Sequence, residues 1–237
     1  MTVTDDRRAV TARTDEAWAA LDAVVDPELD EPITDLKFVR SLDVVGADVV
    51  VHLRLPTSFC APNFAYLMAS DAKDVLVALP WTRRVTVELD DHHDSDLINR
   101  GLAADAGYRG TFGHEAEEDL SALRLTFQRK AHTAAMERVL TRLVRAGSSV
   151  ADLGRVTIGD LPDDDATRAL LRRRAAIGLR NADALPVFVN HTGSSHATVD
   201  LPLQLRLARS TRISIEGNAH FCRGLLATRY DLEEHVS

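Results

Sequence analysis

Between Gly46 and Pro56 the apolar Val49, Val51, Leu53 and Leu55 alternate with the polar Asp48, His52 and Arg54. Successive side chains of a strand point to opposite faces, so this segment is a strand with one buried face that another element must cover. The preceding run carries Leu36, Phe38, Leu42 and Val44 at its apolar positions and turns at Gly46, which predicts a hairpin. Pro62 suits the first turn of a helix whose inward stripe is Phe64, Leu67, Met68, Val75, Leu76 and Leu79, and Pro80 ends it. Val85, Val87 and Leu89 then supply a third strand. Upstream, Thr14 as N-cap, with Asp15 and Glu16 in the first turn, opens a helix with Trp18, Leu21 and Val25 on one face. Asp26-Pro27 stops it, because the residue before proline is pushed out of the α region. The order over residues 14–90 is α-β-β-α-β, with both helices expected on one face of the sheet.

The remainder divides less sharply. Residues 1–13 are polar and read as a disordered tail, and the polar, Gly-containing stretch 91–119 reads as a linker or mobile loop. Residues 120–237 read as a second domain, mixed helical and β-rich. Met136, Val139, Leu140, Leu143 and Val144 mark one helix, and a second runs about 166–179 after Asp163-Asp164-Asp165. Val187-Phe188-Val189, the alternating Val199, Leu201, Leu203, Leu205 and Leu207, and Ile213 with Ile215 read as strands. The expected class is α+β.

Charge is unevenly divided: residues 1–120 hold 24 Asp/Glu against 11 Lys/Arg, and 121–237 hold 12 against 17. The halves can attract one another, or the acidic half can present a surface to a basic partner. An acidic pI of 5.6 and an aromatic content of 5% argue against nucleic acid. No signal peptide and no membrane-spanning apolar stretch is visible, so a cytoplasmic protein is expected. In that reducing compartment the two cysteines, Cys60 and Cys222, are read as free thiols or metal ligands.

Cys60 falls between a strand end and a helix N-terminus, where unsatisfied amides and the helix dipole favour the thiolate that ligates or attacks. The plainer alternative is a small cysteine that merely packs. Around it stand Asp26-Pro27-Glu28 and, thirty residues on, Pro56-Thr57-Ser58-Phe59-Cys60. In order and spacing residues 14–90 resemble the SufT/PaaD-like domain of iron-sulfur cluster assembly factors. The chain departs from the common pattern in reading Cys60-Ala61-Pro62 where many members read Cys-Pro. The resemblance implies that Asp26 and Thr57 sit near Cys60 and help bind an iron or iron-sulfur cargo, held transiently. An Asx turn and a helix-cap hydrogen bond are the structural alternatives for those two.

His220 and Cys222 are separated by one residue and, in a strand, share a face, so Cys60, His220 and Cys222 are candidate metal ligands. Packing without a metal is the competing reading. His92-His93 lies among Glu88, Asp90, Asp91, Asp94 and Asp96, ligands iron would accept, although a solvated acidic run explains it equally well. His191 and His196 read as surface residues flanking a turn. No Gly-Lys-Ser/Thr loop or Gly-x-Ser-x-Gly exists, so an ATPase or serine-hydrolase mechanism has no support.

The resemblance thus predicts a non-enzymatic maturation factor that assembles or delivers iron or an iron-sulfur cluster to a client metalloprotein. Because the relatives include PaaD-like proteins, a component of a bacterial diiron monooxygenase is one such client. The alternatives are an adaptor or folding chaperone without a metal role, and a metal-dependent enzyme using a His/Cys site in the C-terminal half. A homodimer is compatible with all three.

Overall fold

The computed structural model describes residues 3–113 and 120–232. They form two compact units, residues 1–120 with 219–237, and residues 121–218. The class is α+β.

In the first unit, helix α1 (Val3–Leu21) leads to a minimal antiparallel pair, β1 (Val25–Asp26) and β2 (Glu31–Pro32). A three-stranded sheet follows, built from β3 (Val39–Val45), β4 (Asp48–Arg54) and β5 (Arg84–Asp90) in that spatial order. β4 runs antiparallel to β3 and parallel to β5, and helix α2 (Pro62–Val77) supplies the crossover that a parallel pair requires. Register aligns the predicted alternation into apolar rows: Leu42, Val51 and Val87 face one another, as do Val44, Val49 and Val85. Val49, Val51, Leu53 and Leu55 are all buried. Leu36 and Phe38 are buried too, but in the turn before β3 rather than in the strand.

Several expectations for this unit change. Residues 3–13 are helical, so the expected tail is the first part of α1, and Thr14 is no cap. Its hydroxyl donates to the Val10 carbonyl at 2.9 Å, the way a threonine satisfies itself inside a helix. Arg13, inside the helix just before Thr14, donates to the Gly46 carbonyl (2.8 Å) and lies over the Trp81 ring. Ala17 and Leu21 carry the buried face, while Trp18 and Val25 are exposed. The stretch expected as a linker contains α3 (Ser95–Ala103) and α4 (Gly107–Phe112), with Glu115–Asp119 outside the described residues. Ile98 and Leu102, one turn apart, pack into the core, and Tyr108 and Phe112 join Tyr66 in a ring cluster with centroids 5.0 to 5.9 Å apart. On α2 the small residues Ala65, Ala69 and Ala72 share the core face with Leu76, while Phe64 is only half-buried.

The second unit is helical. After the long α5 (Leu120–Arg145), short 3-10 turns at Asp152–Arg155 and Ile158–Asp160 precede α6 (Asp165–Ala176). Asp164 caps α6, accepting from the Thr167 amide at 2.8 Å. Met136, Val139, Leu140, Leu153, Leu170 and Phe188 lie in one core with Leu201. Glu137 is fully buried, pairs with Arg212 and accepts from the Thr141 hydroxyl at 2.7 Å. The expected β-rich end is helix α7 (Leu201–Tyr230), whose residues from Ala219 on belong to the first unit, and only isolated bridges flank it. Leucine and arginine are strong helix formers, and Pro202 falls in the first turn where its missing N–H costs nothing. Leu201, Ala208 and Ile215, seven apart, are buried, whereas Leu203 and Leu207 of the apparent alternation are exposed. No described helix is long and apolar enough to cross a membrane.

Candidate functional site

Cys60 is carried by the loop between β4 and α2, where Ala61 takes the N-cap position and Pro62 enters the first turn. Thr57 shapes that loop: its hydroxyl oxygen accepts from the Phe59 amide at 3.2 Å and lies 3.5 Å from Cys60 Sγ. The turn following β5 holds the loop from outside. The His93 amide donates to the Ser58 carbonyl at 2.9 Å, and the His93 ring stacks on Phe59 at 5.9 Å. His92 Nε2 lies 2.8 Å from the Cys60 carbonyl, while its Nδ1 accepts from the Asp94 amide at 3.0 Å. That second bond fixes the tautomer, with the proton on Nε2 and donated to Cys60. His92 is therefore a buried anchor with both nitrogens engaged, where the sequence suggested a solvated ligand run. The last helix contributes a further tether, because Arg229 donates to the Leu55 carbonyl at 3.0 Å and also to the Asp91 carbonyl.

Asp26 opens the second loop. Its Oδ1 accepts from the amides of Glu28 (2.9 Å) and Leu29 (2.8 Å), the Asx turn that Asp-Pro-Glu favours, and Asp30 takes a positive φ of 57° to close it. The carboxyl is buried, and burial pushes its pKa up to about 6, against the pull of the two amides and with help from the charge of Glu28. At neutral pH the site thus holds a largely ionised, poorly solvated carboxylate.

Both cysteines are free thiols, each half-buried at the margin of the same core. Burial pushes the Cys222 thiol up to about 11, and the charges of Asp26, Cys60 and Glu28 act in the same direction. Asp26, Thr57, Cys60 and Cys222 therefore occupy one neighbourhood. His220 does not join it. In a helix, residues two apart point about 200° around the axis from one another, and on α7 His220 is exposed while Cys222 faces the core. The common face expected of them depended on a strand that does not form.

Among the described residues no group of three or more His, Cys, Asp or Glu is placed to close on a metal ion. Sequence reasoning missed His92 as the loop anchor and Arg229 as its tether. The only signal for His92 was Ser95 three residues on, whose hydroxyl bonds the His92 amide at 2.9 Å and its carbonyl at 2.8 Å, a local turn pattern.

Residues 14–89 match the family model for iron-sulfur cluster assembly proteins. No curated protein and no solved structure matches the chain.

Proposed function

We propose that the first unit takes up iron or an iron-sulfur cluster and passes it to a client metalloprotein, with Cys60 as the cargo-binding thiolate. The observation that carries this reading is the convergence of Thr57 on Cys60 Sγ with the buried Asp26 carboxylate and a second thiol, Cys222, within electrostatic range. A cation reverses the local penalty. Without metal, burial and negative neighbours keep the Cys222 proton in place; an arriving ferrous ion or cluster is attracted by Asp26 and displaces it. Thr57 orders the loop and accepts or donates at the sulfur. A donor set too sparse for permanent coordination favours release, since a client offering four ligands would outcompete it.

The test is anaerobic reconstitution with ferrous iron and sulfide, followed by transfer to an apo-ferredoxin. The wild type should acquire visible cluster absorbance and accelerate loading of the acceptor. Cys60→Ala should stay folded by circular dichroism and lose both properties; Cys222→Ala should weaken uptake only in part. A wild type that neither binds nor transfers would remove the proposal. The PaaD-like resemblance makes a diiron monooxygenase component the second acceptor to try.

An adaptor role on the same surface is the second reading. It is favoured by Phe59, 80% exposed beside Cys60, and by Phe221, 66% exposed beside Cys222. Client binding that survives Cys60→Ala with no cargo in either protein would select it.

A further inference from the structure

The three-stranded sheet of the first unit ends in two unequal edges. β3 carries a register break between Val39 and Ser41, a bulge of the kind that blunts an edge against pairing. β5 runs regularly against β4 from Arg84 to Asp90. Along a strand, alternate residues direct both amide and carbonyl to the same side. Leu89 shows which residues of β5 face away from β4: its amide donates to Asn99 Oδ1 at 2.8 Å, and its carbonyl accepts from Asn99 Nδ2 at 3.2 Å. Val85 and Val87 therefore face outward as well, and no described residue meets their amides or carbonyls. An open trough of about 400 Å³ runs along them, with Val77 of α2 and Asn99 and Leu102 of α3 among its walls.

This edge reads Arg84-Val85-Thr86-Val87-Glu88, a sequence complementary to its own reverse. Two copies of β5 laid antiparallel about a two-fold axis at Thr86 place Arg84 opposite Glu88, Val85 opposite Val87, and Thr86 opposite itself. Val85 and Val87 then exchange both of their hydrogen bonds, which satisfies every outward group left free on either strand. Sliding by two residues loses this. Val85 would meet Leu89, already closed by Asn99, or Val87 would meet Arg83, whose amide is committed to the Ala47 carbonyl at 2.8 Å.

Charge selects the same register. The neighbouring carboxylates are taken, Asp48 by Arg83 and Asp90 by Arg40 and His52. The charge of Arg84 reaches Asp48 without an ion-pair contact, and among the described residues neither Arg84 nor Glu88 forms an ion pair. Opposite charges directly across an antiparallel pair stabilise it, as do facing β-branched residues. We propose that β5 is a self-complementary dimerisation edge, pairing with β5 of a second copy of this chain to make one continuous sheet. A two-fold contact closes on itself, so it covers the open edge without propagating into a fibre. This inference uses no residue of the Cys60 and Asp26 loops and stands apart from the cargo reading.

The experiment is the mass of the full-length protein by sedimentation equilibrium, where a dimer of the 26.0 kDa chain is expected. Arg84→Glu, at an exposed position where substitution spares the fold, sets a carboxylate opposite each Glu88 and should weaken the dimer about tenfold. Glu88→Arg should do the same with two facing guanidinium groups. Mixed together, the two variants should recover a one-to-one heterodimer, since each supplies the charge that the other lacks. Thr86→Cys is an independent measure, because facing residues of a non-hydrogen-bonded pair have Cα atoms about 4.5 Å apart, within disulfide reach. Mild oxidation should join the two substituted positions, identified by mass spectrometry. A monomeric wild type would overturn the proposal and leave the edge to a strand of another protein. A dimer indifferent to Arg84→Glu, a mixture of folded variants that stays monomeric, or cross-linking of Thr86→Cys only through Cys60 or Cys222 would each overturn it too.

Discussion

Asp26→Asn is expected to stabilise the first unit at neutral pH while impairing its chemistry. The Asp26 carboxyl has a pKa of about 6 against an ordinary value of 3.8, chiefly through burial. A raised carboxyl pKa means that the native state binds the proton more tightly than the unfolded chain. The stability this group contributes is therefore fully present below about pH 3.8 and is lost as pH rises through about 6. A shift of roughly two units corresponds to about 3 kcal/mol, the cost of holding the buried charge at pH 7.5. Asparagine keeps the oxygen that accepts from the Glu28 and Leu29 amides, but its NH2 needs a partner in a buried place, which costs about 1 to 3 kcal/mol. A net gain of about 0 to 2 kcal/mol at pH 7.5 should remain, and the variant should lose the wild type's decline between pH 4 and 6. Both tryptophans, Trp18 and Trp81, lie in the first unit, so urea unfolding followed by tryptophan fluorescence reports that unit directly. Equal slopes in urea must accompany the comparison, so that the midpoint shift measures stability. A wild-type minus variant difference that stays constant from pH 4 to 7.5 would refute the argument. On the proposed cargo role, the same variant should take up less iron on reconstitution, because the buried charge that costs stability is the one that would draw the cation.

Ile98→Ala should cost the first unit about 2 to 5 kcal/mol in the same fluorescence assay, since Ile98 is fully buried on α3; a change under about 0.5 kcal/mol would mean that the segment is a loop after all. Alkylation of Cys222, whose thiol is pushed up to about 11, should rise about tenfold per pH unit between pH 7 and 10, by mass spectrometry of its peptide. A plateau below pH 9 would contradict the burial of the Cys222 thiol beside Asp26, Cys60 and Glu28. His92→Phe, which fills the space but makes neither ring bond, should cost about 1 to 3 kcal/mol and raise hydrogen exchange across residues 57–61. Unchanged exchange in that loop would show that His92 does not hold it.

Much of the first unit was written locally. Alternation at Val49, Val51, Leu53 and Leu55 survives any packing, because a strand covered on one side can bury only every second residue. Pro62 and Gly46 act through their own backbones, so the helix start and the hairpin turn were legible as well. Asp26, with its Asx turn, and Thr57, three residues from Cys60, make contacts within their own loops, which is why a short motif could announce them. The stretch 91–113 was not legible, because Ile98 and Leu102 are too few to mark a helix without the α2 and β5 surfaces that receive them.

The C-terminal half turned on a choice that no local pattern could make. Leu201, Leu203, Leu205 and Leu207 fit a strand at period two, while Leu201, Ala208, Ile215, Ala219 and Leu226 fit a helix, and the two patterns overlap in one stretch of chain. Whichever face finds a core wins, and the core is assembled from residues distant in the chain. That decision also sets which groups meet, since the helix brings Cys222 within electrostatic range of Asp26 and Cys60 and sends His220 to solvent. Side-chain identity fixed which groups could act as ligands; only tertiary packing, which sets burial and long-range neighbours, decided which of them meet and at what pKa.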